Sequence, residues 1–387
     1  MQLSGTATPG FETITDAFGR TFDGYPDMGA ALAIMVDGVT VVDLWGGYAD
    51  ARVERAWRDD TLSVIFSCTK GLLAITAARL VADRRLEYDA PVSRYWPEFA
   101  QAGKGAVTVR ELLSHRAGLN APVRDITRDE VVDWELMTDV LAEQAPLFTP
   151  GEHHMYHALT FGWLVGEVIA RVTGQSVGAA FQTLVAAPLA AEAYIGLPPQ
   201  LEPRVARLKV GASLDQWAQD QATDWADEPI NWPQRGMTLG GALPVSLARD
   251  GGFNDPRLHA AEVPGAGGIA TARALAAIWS STVVATPTTT PLPTEVLNDA
   301  LIVRTQGAPF FNEPAPYARW GSGFMLPSEA RSFLSDASFG HDGAGGQVAF
   351  ADREHHVGFA YITNQMEAGD TRAADVIEAL RNVFLAR

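Results

Sequence analysis

Two β-prone runs, Ala-Leu-Ala-Ile-Met-Val and Val-Thr-Val-Val-Asp-Leu-Trp, flank Asp37-Gly38 within residues 30–49. A turn dipeptide between such runs predicts a hairpin. Before it, Phe11–Gly24 has the spacing of an amphipathic helix. Residues Thr69–Leu86 turn to Ala, Leu and Arg at helical spacing, and Phe66-Ser67 stands just ahead of them. The pattern then stays helical through a helix beginning at Thr108–Ser114 and ending near Gly118, another over Asp129–Gln144, and a third over Leu159–Val172 closed by Gly174. Residues Gly211–Gly241, rich in Asp, Gln and Trp, read as irregular loop. Gly265-Ala266-Gly267-Gly268 leads into a helix over Ala270–Ser280, and Thr286–Thr294 reads as a Thr/Pro-rich loop. Strands are predicted at Trp320–Leu326, Val348–Asp352 and Val357–Asn364, and a helix at Asp370–Leu385.

Strands at both ends and helices between them predict an α+β fold, one antiparallel sheet built from both termini and flanked by helices. The expected division is an α/β domain from residues 1–90 and 245–387, with a mostly helical domain, 91–244, inserted. The active site is then expected in the cleft between them. No internal repeat is visible.

Composition narrows the class. The chain of 387 residues is 47% apolar and 19% charged, as in an ordinary globular protein. Its net charge of −17 opposes nucleic acid and anionic membrane surfaces as partners. The stretch Met1–Arg20 has no basic start and no apolar run, and Ala158–Ala170 is broken by Thr160, Gly162, Gly166 and Glu167. Neither a signal peptide nor a membrane anchor is expected. One cysteine, Cys68, excludes an internal disulfide, and a cytoplasmic location is expected. Nearly all positive charge is Arg; the three lysines are Lys70, Lys104 and Lys209. Lys can be deprotonated by its surroundings and Arg cannot, so a retained Lys draws attention to itself.

One of those lysines belongs to Ser67-Cys68-Thr69-Lys70, an S-x-x-K element at a predicted helix N-terminus. Residues i and i+3 share a helix face, so Lys70 can reach the Ser67 hydroxyl and act as its base. The helix end adds amide dipoles for a developing oxyanion. Chance gives roughly 0.1 such elements in a chain of this composition. The competing reading is an N-cap Ser followed by an exposed Lys. A second element, Pro150-Gly151-Glu152-His153-His154-Met155-Tyr156, can present a phenol at a cleft. Beside a Lys, that phenol can have a lowered pKa and serve as general base; alternatively Tyr156 is a packed ring. A third, Phe339-Gly340-His341-Asp342-Gly343-Ala344-Gly345-Gly346-Gln347, stands just before a strand, as an oxyanion donor or merely as a tight turn.

In this order the elements resemble the serine β-lactamase and penicillin-binding-protein superfamily, most nearly class C β-lactamases and the family VIII carboxylesterases. Leu112-Leu113-Ser114-His115-Arg116-Ala117-Gly118-Leu119 resembles that superfamily's LLSHxSGL segment, and Asp89–Pro97 and Gly265–Arg273 fit as well. The likeness spans roughly residues 25–365 and implies a β-lactamase/transpeptidase-like fold. It implies Ser67 as acylated nucleophile, Lys70 and Tyr156 as its proton-transfer partners, and the amides of Ser67 and Ala344 as oxyanion hole. His341-Asp342-Gly343 takes the place of the lactamases' Lys-Thr-Gly. Two departures turn the expectation away from β-lactams. Ala158 replaces the Asn of Tyr-x-Asn, and Asp342 is expected to repel a substrate carboxylate.

The expected activity is therefore a serine carboxylesterase acting on short-chain or aryl esters, with a small-molecule ester as its partner and no cofactor. Acyl transfer, β-lactamase or D-amino-peptidase activity, and a non-catalytic ligand-binding role remain alternatives. His341, Asp342, Gly343, His157, Trp225 and Trp232 are candidate substrate-binding residues, the tryptophans equally readable as packing. His153 and His157 stand at i, i+4, but without an HExxH element no metal is expected. No G-x-S-x-G element occurs, which opposes an α/β-hydrolase nucleophile elbow.

Overall fold

The computed structural model describes residues 2–224, 230–249, 251–311 and 313–386, with backbone alone at 221–224. Asp37 and Gly38 both take left-handed backbone, φ +50° and +77°, as a two-residue hairpin turn with the right twist demands. They join strands Gly29–Val36 and Val39–Asp50. The edge strand Leu3–Ala7 pairs with the second of these, and Val357–Thr363 with the first. Gln347–Asp352 and Ser338–Gly343 follow outward, then the short strands Met325–Leu326 and Arg319–Trp320. With Arg55–Ala56 against Val39–Asp50 the sheet has nine strands, every pairing antiparallel. Both ends of the chain thus build one sheet, as its pattern predicts.

The two central strands are apolar on both faces because both are covered. On one face Leu32, Ile34, Phe359 and Tyr361 pack against Phe18 of helix Glu12–Arg20 and Val376 of helix Arg372–Leu385. The other face carries small residues, Ala31, Ala33, Gly358 and Ala360. This lets helix Ala272–Ser280 come close; a Cβ on Gly358 would overlap the Ala276 carbonyl and stand 2.6 Å from Ser280 N. Beyond it runs the buried helix Cys68–Ala82, packed against strand Ser338–Gly343. Large residues inward on one face and small ones on the other are what a sheet between near and far helices requires.

The middle of the chain departs from prediction in places. Asp129–Gln144 splits at Asp133, whose carboxylate caps helix Trp134–Glu143 after a short 3-10 turn at Glu130–Val132. Residues 211–241 are not all loop. They hold helices Ala212–Asp224 and Trp232–Thr238, the second capped by the Asn231 side chain. The first is rich in Asp, Gln and Ala, and among its described side chains Leu214 and Trp217 are those seated on the core, so its apolar period is faint. Trp320–Leu326 is a tight hairpin rather than one strand. His341-Asp342-Gly343 lies within a strand, not ahead of one.

Lys104 is buried without a carboxylate. Its Nζ donates to Gln101 O, Ala142 O and Gln144 O at 3.0, 2.9 and 2.5 Å, stitching a loop to the end of helix Trp134–Glu143. Those are carbonyls that a helix C-terminus leaves unpaired.

Gly358→Val is expected to destabilise the protein by about 3 kcal/mol or more, because the new side chain meets backbone on the neighbouring helix. A midpoint in urea denaturation unchanged from the native protein would refute that packing account.

Candidate active site

Phe66 has φ +44°, uncommon for a buried aromatic residue, and this turn sets Ser67 at the N-cap of helix Cys68–Ala82. Thr69 holds the turn. Its Oγ1 donates to Phe66 O at 2.5 Å and accepts from Gly268 N at 2.9 Å. Ser67 is partly open while Cys68, Thr69 and Lys70 are buried.

Lys70 projects from the same helix face, its Nζ 2.9 Å from Ser67 Oγ, 2.6 Å from Ala158 O and 2.7 Å from Gly265 O. A neutral amine has two N–H bonds and one lone pair. The two carbonyls take the N–H bonds, and the lone pair is left for the serine proton. Burial lowers the Lys70 pKa to about 7, with Asp342 opposing the shift. Both carbonyls are brought in by glycine. Gly162, in helix Thr160–Thr173, packs so closely that a Cβ would collide with Gly265 N, and one on Gly265 would collide with Leu159 O.

Tyr156 completes the triangle. Its hydroxyl bonds to Ser67, and Lys70 Nζ lies 4.8 Å from its ring centre. The expected lowering of its pKa is not found. The ring keeps some surface toward the cavity, but the hydroxyl is desolvated, and its pKa is driven well above the usual phenol value. Tyr156 is a neutral phenol, not a resting phenolate.

Strand Ser338–Gly343 closes on this group. Cys68 Sγ donates to His341 O at 3.3 Å, and a Cβ on Gly343 would overlap Ile65 O, so glycine permits the approach. Cys68 is a buried thiol whose pKa burial raises, which makes it a packing residue. Ser67 and Ala344 both line a cavity of about 420 Å³, and the backbone N–H of neither finds a hydrogen-bond acceptor among the described residues. Asp342 and Gly343 also line it, with apolar walls from Leu159, Met237, Leu247 and Trp320.

Three candidate residues, His157, His341 and Trp232, sit elsewhere than the sequence places them. His157 is fully buried and accepts from Leu119 N at 3.1 Å through Nε2, so Nδ1 carries the proton and donates to Met155 O at 2.6 Å. His341 is also fully buried, Nδ1 against Asp342 O at 2.6 Å. Neither lines the cavity. Asp342 does, but Arg331 holds its Oδ2 at 2.7 and 3.1 Å, so the bare repelling charge expected there is matched by a cation. Trp232 stacks on Phe311 at 5.8 Å, away from the cavity lining. Trp225 lies outside the described residues.

His115 went unassigned in the sequence. Its φ is +62°, its carbonyl accepts from Met155 N at 3.1 Å, its Nδ1 accepts from His157 N at 3.2 Å, and its ring packs 4.9 Å from that of Tyr156. It braces the segment that carries the phenol. Its place in the LLSHxSGL-like segment was the available signal.

These rings make acid stability a test of the packing. Burial lowers His157 and His341 to about 4. An unfolded His binds a proton below about 6.5, so their contribution is complete above that pH and is lost as pH falls through 4. The loss is on the order of 3 kcal/mol per ring. The urea midpoint is expected to fall steeply between pH 6.5 and 4, and less steeply in His157→Gln. A slope identical in that variant would show that His157 is not desolvated.

The sequence matches the family described as Beta-lactamase over residues 18–382. It is 32% identical over 377 residues to the esterase/beta-lactamase LipL of Mycobacterium tuberculosis, covering 94% of this chain and 83% of that one. A family VIII carboxylesterase structure superposes with a TM-score of 0.87 at 34% identity, covering 99% of this chain and 100% of the other. EstA from Arthrobacter nitroguajacolicus Rue61a superposes at 0.83 with 32% identity, covering 100% and 99%. The chain belongs to the beta-lactamase family, as a serine hydrolase with the fold of a family VIII carboxylesterase.

Proposed function

We propose that the protein is a carboxylesterase that hydrolyses short-chain or aryl esters through an acyl-enzyme on Ser67. The observation that carries this is Lys70 Nζ at 2.9 Å from Ser67 Oγ, with two carbonyls occupying its N–H bonds. In this reading neutral Lys70 takes the Ser67 proton as Oγ attacks the ester carbonyl. The carbonyl oxygen becomes an oxyanion between the N–H groups of Ser67 and Ala344. As the tetrahedral intermediate collapses, the C–O bond to the alcohol breaks. Tyr156 gives its proton to the leaving oxygen and regains one from Lys70. Water then attacks the acyl-enzyme by the same steps, releasing acid and restoring Ser67. A raised phenol pKa suits Tyr156 to carrying a proton rather than to being the first base.

The relatives support an ester substrate, since LipL is named an esterase/beta-lactamase and one superposed structure is a family VIII carboxylesterase. The cavity supports it too. Its walls are largely apolar, Ala158 offers no side-chain amide, and Arg331 is committed to Asp342 instead of being free for a substrate carboxylate.

Ser67→Ala is expected to abolish turnover of p-nitrophenyl butyrate, a loss of at least about 10³-fold in kcat. Retained activity would place the nucleophile elsewhere, and rapid nitrocefin turnover without ester turnover would reverse the substrate assignment. Since Lys70 must be neutral to accept the proton, kcat/KM should fall tenfold per pH unit below an apparent pKa near 7. An acid limb placed near pH 4 instead would remove Lys70 from the role of base.

A further inference from the structure

The charges that face the cavity are unequally matched. Asp342 is paired with Arg331, and Lys70 lies behind Ser67 with its bonds filled. His154 lines the wall with its pKa lowered by burial, so it is neutral at physiological pH. Glu313 also lines the wall, and among the described residues it makes no hydrogen bond or ion pair. Desolvation alone raises its pKa, and no cation is near enough to lower it. Glu313 shares the lining of this cavity with Ser67 and Tyr156. Tyr317 and Trp320 contribute aromatic rings to the same cavity lining.

A half-buried carboxylate without a protein partner attracts a cation that replaces its lost solvation. Aromatic rings lining the same cavity attract an alkylated ammonium as well. An anionic substrate meets the reverse, because the guanidinium available to it is already bound. From this we infer that Glu313 is a specificity residue that selects esters bearing a basic or quaternary nitrogen over neutral ones of equal shape. The inference rests on the esterase reading and adds the charge of the substrate to it.

The test uses two isosteric pairs. Butyrylthiocholine is compared with S-(3,3-dimethylbutyl) thiobutyrate, which puts the cation in the leaving group. The p-nitrophenyl esters of 4-(trimethylammonio)butyrate and 5,5-dimethylhexanoate put it in the acyl group. The cationic member of at least one pair is expected to have a kcat/KM about tenfold higher, carried mainly by KM. In Glu313→Gln that preference should fall to about twofold or less, with the neutral ester unchanged within about twofold. Rising salt should erode the preference in the native protein and not in the variant. Equal or faster turnover of the neutral ester in both pairs would overturn the inference, as would a preference that survives in Glu313→Gln. Turnover of none of these esters would overturn the esterase reading as well, a different result from turnover without preference.

Discussion

The Lys70 nitrogen, buried beside the Ser67 hydroxyl, must be solvated by protein, and the site is arranged around that need. Removing an ammonium from water costs several kcal/mol even after relaxation. The chain offsets the cost with two backbone carbonyls from distant positions, Ala158 and Gly265, at 2.6 and 2.7 Å. Backbone carbonyls are dipoles rather than charges. They hold the nitrogen in either protonation state and do not fix it as an ammonium, as a carboxylate would. That is why burial can bring Lys70 to about 7 instead of locking it as a cation. Lys104, with three carbonyls and no reaction to serve, uses the same solution structurally.

The requirement spreads outward. For both carbonyls to reach one nitrogen, helix Thr160–Thr173 and the Gly265–Gly268 segment must touch, and Gly162 and Gly265 permit it. For Tyr156 to stand over the lysine, residues 155–157 must be held in an irregular conformation. His115 and His157 hold them with hydrogen bonds no regular element provides. Strand Ser338–Gly343 must then come within reach of the serine turn, and Gly343 removes the side chain that would prevent it. The cavity is what remains between these pieces.

Much of this was legible. The Asp37-Gly38 turn, the strands from both termini and the helix after Ser67 follow from local periodicity and turn chemistry, which act over a few residues. Ser67, Lys70 and Tyr156 could be named because their side chains are their contribution. What escaped depends on contacts between distant positions. A histidine that braces backbone looks, in sequence, like one that faces a substrate, and His157 was expected at the substrate for that reason. Arg331 lies eleven residues from Asp342, across a turn whose path no pattern reveals, so the neutralising partner could not be assigned. Helix Ala212–Asp224 was hidden by its polarity, since so little of it is buried.

Position 158 shows where reading by side chain stops. By composition, replacing the family's Asn with Ala removes an amide, and the natural inference is loss of a functional group. In the folded chain the backbone carbonyl of that residue binds Lys70, and any residue with the same backbone geometry would serve. The side-chain loss is therefore felt on the cavity side alone, where an amide gives way to a methyl beside Leu159. The same holds at position 342. A threonine there would face a ligand with its own hydroxyl. Asp342 instead spends its charge on Arg331, leaving a paired wall that neither draws nor rejects an anion strongly. Both substitutions preserve the proton-transfer machinery and change only what lies opposite it. On the proposed reading the acyl chemistry is inherited intact, while substrate choice passes to the cavity's apolar walls and to Glu313, whose charge no described residue matches.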